Sequence, residues 1–191
     1  KGAFHGKNDS LMTAQDKKNV KLTGPGATLR MHRADYDSSA YTKAEWRHVL
    51  QLRGCTNVTV TGLTLAESGG DGIYLGTGRG GATNKNVTIK DVICDRNYRQ
   101  GISVITAEDL LIENCVLKNT AGTAPAAGID FEPNHAKERL VNCVMRNCLV
   151  EDNHGYAIVI YARPLDATTV PMSVRIENCT TRGTNSRSFG I

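Results

Sequence analysis

Apolar residues recur at every second position in short runs along this chain, and the runs come in pairs broken by a single glycine, aspartate or asparagine. Period-two alternation predicts strands with one buried face. Three segments overlay directly: Asn57-Val-Thr-Val-Thr-Gly-Leu-Thr-Leu65, Asn86-Val-Thr-Ile-Lys-Asp-Val-Ile-Cys94 and Asp109-Leu-Leu-Ile-Glu-Asn-Cys-Val-Leu117. Two more follow, from Asn142 to Val150 and from Ser173 to Thr181. With Val60, Ile89, Ile112, Met145 and Ile176 as equivalents, the intervals are 29, 23, 33 and 31 residues. That is too long for a hairpin repeat and suits one turn of a solenoid.

A second motif keeps phase with the first. It reads Asp71-Gly-Ile-Tyr-Leu75, Gln100-Gly-Ile-Ser-Val104, Ala127-Gly-Ile-Asp-Phe131 and Tyr156-Ala-Ile-Val-Ile160, with its isoleucines 29, 27 and 29 residues apart. Two interleaved motifs of one period and constant order require each coil to lay its strands on those of the coil before, about 4.8 Å away. The sequence therefore predicts an all-β fold, a single-stranded right-handed parallel β-helix of about six coils. Val20-Lys-Leu22 and Val49-Leu-Gln-Leu52 fit an earlier, less regular coil, on which residues 32–47 form a long loop. Residues 1–191 read as one domain. Its start at Lys1-Gly2-Ala3-Phe4 lacks the apolar stretch of a signal peptide, and both ends resemble mid-repeat, so the domain reads as part of a longer solenoid.

Gly62, Asp91, Asn114, Asn147 and Asn178 sit at the break between the paired runs, where left-handed backbone is tolerated, and predict an asparagine ladder. Leu63, Val92, Cys115, Cys148 and Cys179 then form one inward file, with Cys94 in the neighbouring file. Cysteines in register on parallel strands point the same way, which suits free core thiols better than disulfides. No Cys-x-x-Cys pair exists, so no metal site is predicted.

Composition narrows the function. The 23 basic and 19 acidic residues are dispersed, with no basic block and no basic–aromatic interleaving, so nucleic acid is not the predicted partner. No apolar run approaches the roughly 18 residues of a membrane span, which excludes a membrane from the expected partners. The net charge of +4 suits an acidic polysaccharide.

These repeats resemble the pectin-lyase-like superfamily of right-handed parallel β-helix proteins, which includes polygalacturonases, polysaccharide lyases, alginate epimerases, carrageenases and phage tailspikes. The likeness rests on the Asn-Val-Thr-Ile type strand, the Asn-before-Cys turn and the Gly-Ile strand. It implies a secreted, periplasmic or cell-surface protein that binds a polysaccharide along one sheet. Gly69-Gly-Asp-Gly-Ile and Arg99-Gln-Gly-Ile-Ser resemble polygalacturonase strands, which brings Asp71, Arg99, Gln100 and Ser103 among the candidate site residues. The chain lacks the paired Asp-Asp and the Arg-Ile-Lys motifs of that family. Gly128-Ile-Asp-Phe-Glu-Pro-Asn-His135 is closer to carrageenases, some of which carry an acid and a base two residues apart on one strand.

The overlay itself turns Gln51, Tyr74, Ser103, Asp130 and Val159 outward in one file, and Gly76, Ile105, Glu132 and Tyr161 in the next. Asp130 and Glu132 then share a face about 6.6 Å apart along the strand, which falls within the carboxyl separation of inverting glycosidases, roughly 6.5–9.5 Å. They are the predicted acid/base pair. The acid should be the carboxyl with the more apolar surroundings, and Ile105 beside Glu132 points to Glu132. His154, at the turn entering the sheet, is a candidate proton carrier, and Arg99 a candidate bidentate clamp for a sugar carboxylate or sulfate. Tyr74 and Tyr161 are candidates for stacking on sugar rings, and Asp71, Gln100, Ser103, Asn134, His135 and Arg163 for contacting substrate. The leading prediction is a glycoside hydrolase that needs no cofactor. Alternatives are a uronate lyase or C5-epimerase, for which Ca²⁺ could bridge a uronate to Asp71 or Asp130, and a non-catalytic glycan-binding or tailspike-like module.

Overall fold

A computed structural model describes residues 4–191. The first residues of the start motif, Lys1-Gly2-Ala3, lie outside the described residues. The chain winds as a right-handed parallel β-helix with two curled parallel sheets. One sheet holds seven strands in chain order: Met12–Gln15, Leu50–Arg53, Asp71–Gly76, Gln100–Val104, Ala127–Phe131, Ile158–Ile160 and Phe189–Gly190. The other has ten strands and bends at the predicted ladder. Strands such as Asn84–Lys90 and Ala107–Glu113 lie before the bend, and Ile93–Asp95 and Val116–Lys118 after it.

Register follows the sequence overlay. Val60, Ile89, Ile112, Met145 and Ile176 pair successively across coils. So do Ile73, Ile102, Ile129 and Ile158. All of these except the terminal-coil Ile176 are buried, so each coil places its apolar residues on those of its neighbours. A one-residue slip would turn every such file to solvent, and this is what locks the pairing.

The bend is built from left-handed residues: Gly62, Asp91, Asn114, Asn147 and Asn178 all have φ between 49° and 73°. A second left-handed file not foreseen from the sequence runs through Asn19, Asn57, Asn86, Asp109 and Asn142. Its side chains bond along the stack, from Asn57 to Asn19 at 3.1 Å, Asn86 to Asn57 at 2.9 Å and Asn142 to Asp109 at 2.7 Å. At the third corner, buried Asn97 and Asn153 each accept from a backbone N–H and donate to a carbonyl of an earlier coil. These asparagines satisfy main-chain groups that the corner removes from the ladders.

All six cysteines are free; five are buried and Cys179 is half-buried. Burial raises the thiol of Cys94 and pushes Cys143 up to about 12. Thiolates are the reactive form. A thiol-titrating disulfide reagent should therefore label Cys179 first in the folded protein and reach the other five only after denaturation, counted by mass spectrometry; early labelling of several would contradict this packing.

The loop over residues 32–47 is present but more ordered than a plain insertion. It contains a short helix, Arg33–Tyr36, and closes on a fully buried Arg47. The Arg47 guanidinium donates to the carbonyls of Phe4 and Thr42 and lies over the rings of Tyr36 and Tyr41. Because Gly69 and Gly70 lack side chains, the loop can lie directly on the turn before Asp71: a Cβ at either would collide with Tyr36, or with the backbone at Glu45 and Arg47. The loop thus delivers Trp46 and His48 to the edge of the seven-stranded sheet.

Candidate active site

The outward file falls where the overlay puts it, with Gln51 beside Tyr74, Tyr74 beside Ser103, Ser103 beside Asp130 and Asp130 beside Val159. Asp71 and Gln100 pair three residues earlier on their strands. The next residues, Gly72 and Gly101, face inward with Ile73 and Ile102, because a Cβ at either would meet the side chain of Cys94 and the carbonyl of the next coil's glycine. Two successive residues on the inside leave Asp71 and Gln100 outside, in the same cluster as Ser103 and Asp130. Asp71 is therefore a fully buried member of the cluster.

Hydrogen bonds tie the cluster together. Arg99 grips Glu132 with two parallel bonds, Nη1 to Oε1 at 2.8 Å and Nη2 to Oε2 at 2.9 Å. Gln100 donates to Glu132 Oε1 at 2.9 Å and lies 3.5 Å from Asp130 Oδ2. Ser103 Oγ stands 2.8 Å from Asp71 Oδ2 and 2.7 Å from Gln100 Oε1, sharing one proton between two acceptors. Arg99 Nη1 also reaches within 3.9 Å of Asp71 Oδ1. The predicted clamp thus holds the protein's own Glu132, and Arg99 is committed to that contact.

The two carboxyls of the predicted pair have different settings, opposite to the one expected from Ile105. Asp130 is 3% exposed, and burial first, then the neighbouring Glu132 charge, pushes its pKa up to about 8. Arg99 opposes that rise without cancelling it. Glu132 carries the salt bridge to Arg99. The sequence put weight on one apolar neighbour; the arginine from the preceding coil outweighs it. Oδ1 of Asp130 and Oδ1 of Asp71 are buried and accept no hydrogen bond from the described residues.

Two contributors were missed. His48 is buried, with Nδ1 3.0 Å from the Asp71 backbone nitrogen and 3.1 Å from Asp71 Oδ2, and its ring stacks on Tyr74 at 4.6 Å. The signal was available: Leu50 pairs with Ile73, so counting back two residues sets His48 beside Asp71. Glu138 accepts from Thr77 Oγ1 at 2.6 Å and from the backbone N–H groups of Asn134 and His135, fastening the loop after Glu132 to the end of the Tyr74 strand. Desolvation pushes the Tyr74 phenol up to about 12, and its ring lies over Gly76, where a Cβ would strike it.

The remaining candidates lie further out. Asn134 and His135 are exposed, and what they contribute to Glu138 is backbone. His154 is exposed on the turn, with its backbone bonded to Thr120 and no side-chain hydrogen bond to the carboxylates. Tyr161 is exposed and lines a cleft of about 370 Å³ together with Asp130, Glu132, Tyr156 and Arg187. Arg163 is exposed beyond it. Among the described residues, no group of three His, Cys, Asp or Glu side chains is placed to hold a metal ion.

Comparison with known proteins agrees with this architecture. Residues 42–191 match the family model described as the right handed beta helix region. Over 173 residues the chain is 27% identical to the uncharacterized protein YclG of Bacillus subtilis (strain 168), an alignment covering 80% of this chain. The chain spans about 30% of the length of that curated relative. No solved structure gives a significant match.

Proposed function

We propose, for a chain that belongs to the right-handed beta helix family, that it hydrolyses glycosidic bonds of a polysaccharide lying across the seven-stranded sheet, with Asp130 as general acid and Glu132 as general base. The observation carrying this reading is the unlike pair: a buried carboxyl with a pKa pushed up to about 8 and, two residues along the same strand, a carboxyl gripped at both oxygens by Arg99. Acid/base cleavage needs two carboxyls in unlike environments. At neutral pH Asp130 holds a proton to give to the leaving oxygen. Glu132 Oε1 already accepts two bonds, whereas Oε2 accepts one and keeps a lone pair for a water. Arg99 and Gln100 orient that carboxylate, and Ser103 joins Gln100 to Asp71.

The committed arginine also bears on the choice of reaction. A uronate lyase must neutralise the sugar carboxylate before abstracting a proton beside it, and the bidentate contact that would do so is occupied by Glu132. Hydrolysis uses the pair as it stands. Incubation with neutral, uronic and sulfated polysaccharides should release reducing ends without new ultraviolet absorbance. Absorbance from an unsaturated product would establish the lyase instead. Binding without any shortening of the polymer would establish a non-catalytic glycan-binding module.

A further inference from the structure

His48 has no part in the proposed chemistry, yet its contacts run toward the carboxyl pair. It directly follows the buried Arg47 that seats the 32–47 loop, and Gly70 leaves room for it, since a Cβ there would come within 3.0 Å of Nδ1. Nδ1 meets Asp71 twice, accepting from its backbone N–H at 3.0 Å and standing 3.1 Å from Oδ2. The other carboxyl oxygen, Oδ1, accepts no hydrogen bond from the described residues and lies 3.9 Å from Arg99 Nη1. At close range the Asp71 carboxyl is therefore held through Oδ2, by His48 and by the Ser103 hydroxyl at 2.8 Å. That hydroxyl also stands 2.7 Å from Gln100 Oε1. Ser103 has one hydrogen for these two acceptors, so how firmly His48 engages Asp71 bears on how much of it Gln100 receives. Gln100 in turn directs Nε2 at Glu132 Oε1, 2.9 Å away, with Asp130 Oδ2 at 3.5 Å. Turned over, the amide would set its oxygen against two carboxyl oxygens.

We infer that His48 is a positioning residue acting through Asp71 and Ser103: by seating His48 on Asp71, the 32–47 loop leaves the Ser103 hydroxyl to Gln100 and keeps the Gln100 amide aimed at Asp130 and Glu132. The inference rests on the hydrolase reading for its effect on rate, and on the contacts alone for the orientation of the amide. The strand that follows His48 and the strand of Gln100 are two spacings apart, about 10 Å, so the influence passes along the chain of bonds and not by direct contact. All four residues of that chain are buried, and a buried polar group that loses its partner is left unsatisfied, because solvent does not replace the bond. In such a network each bond conditions the next, so a change at one end is felt at the other. The setting of the carboxyl pair thereby depends on a segment that lies outside the repeat.

The chain has three glutamines, Gln15, Gln51 and Gln100, so nitrogen-15 labelling of glutamine side chains gives three amide pairs in the NMR spectrum. The Gln100 pair is the one missing from Gln100→Met. Two changes at His48 separate bonding from packing: His48→Phe keeps a ring to stack on Tyr74 and loses Nδ1, whereas His48→Asn keeps a polar atom near the place of Nδ1 and loses the ring. In the full chain without substrate, the Gln100 pair should shift and exchange faster with water in His48→Phe and in Ser103→Ala, and hold its parent position in His48→Asn. On a polysaccharide that the parent cleaves, His48→Phe should lower kcat about 10–100-fold with little change in KM, and His48→Asn should restore most of the loss. His48→Phe combined with Ser103→Ala should lose no more than the worse single variant, since both break one chain. An unmoved Gln100 pair in His48→Phe, a pair displaced equally in His48→Asn, or kinetic losses that simply add would overturn the inference. If His48→Phe does not fold, Ser103→Ala carries the test, because it removes a single hydroxyl, and a parent-like Gln100 pair there overturns the inference equally. If the parent cleaves no polymer, the hydrolase reading falls and the amide signals alone decide the role of His48.

Discussion

Asp130→Asn should cut polysaccharide cleavage by about 10²–10⁴-fold, the usual contribution of a positioned proton donor, while the chain stays folded. The amide keeps the shape of the protonated acid and removes only the transferable proton. In the unsubstituted protein, kcat/KM should decline on a basic limb near pH 8 as Asp130 loses its proton. The same shift sets a stability trend. The folded carboxyl has a raised pKa, so the native state holds a proton the unfolded chain has released above its ordinary value of 3.8. That stabilisation is complete below about pH 4 and is lost as pH rises toward 8, by an amount on the order of 5 kcal/mol at most. Asp130→Asn should flatten that part of the pH–stability curve and be the more stable protein at pH 9. Urea melts across pH 4 to 9 read both. Full activity in the amide variant, or an unchanged slope, would refute the assignment of Asp130 as a protonated acid.

Arg99→Ala should be the most damaging of the single changes to folding, costing about 3–5 kcal/mol, because it strands a largely buried Glu132 without its partner. Arg99 lies on the turn before Gln100 and bonds a side chain one coil further on, so the contact also ties consecutive coils together. Replacing Arg99 by Met and Glu132 by Leu together should recover most of the loss, since a matched apolar pair removes both desolvated charges. Denaturant melts of the two singles and the double give the coupling. The double should be well folded and inactive, which separates the structural role of the pair from its chemical one. If Arg99→Ala melts like the parent protein, the bidentate contact is not what holds Glu132.

The parts of this molecule that repeat were legible because repetition makes each coil evidence for the next. The Ile73, Ile102, Ile129 and Ile158 file needed no three-dimensional information beyond strand spacing, and the cysteine files followed from it. The outward positions of Asp130 and Glu132 came from the same count. What failed to show were departures from the repeat. The double inward step at Gly72 and Gly101, which turns Asp71 and Gln100 into the site, breaks the strict alternation on which a strand's inward and outward faces are read. The buried His48 lies at the end of a loop that has no counterpart on other coils. The surroundings of the two carboxyls differ from the expectation for a similar reason: Arg99 reaches Glu132 from another coil, and the neighbours along one strand do not include it.

The left-handed asparagine corners have a consequence for how such a protein can change. Each corner fixes the path of the backbone with groups that lie within its own turn or the adjacent one, so a segment can be inserted between corners without disturbing the files on either side. The 32–47 loop is such an insertion, and it carries Trp46 and His48 to the sheet while the neighbouring strands Met12–Gln15 and Leu50–Arg53 remain paired. In this architecture the rod and the loop it carries are separately editable. A change in what the loop presents to the sheet needs new letters in one segment, and the strands that hold the carboxyl groups in place need not be rewritten.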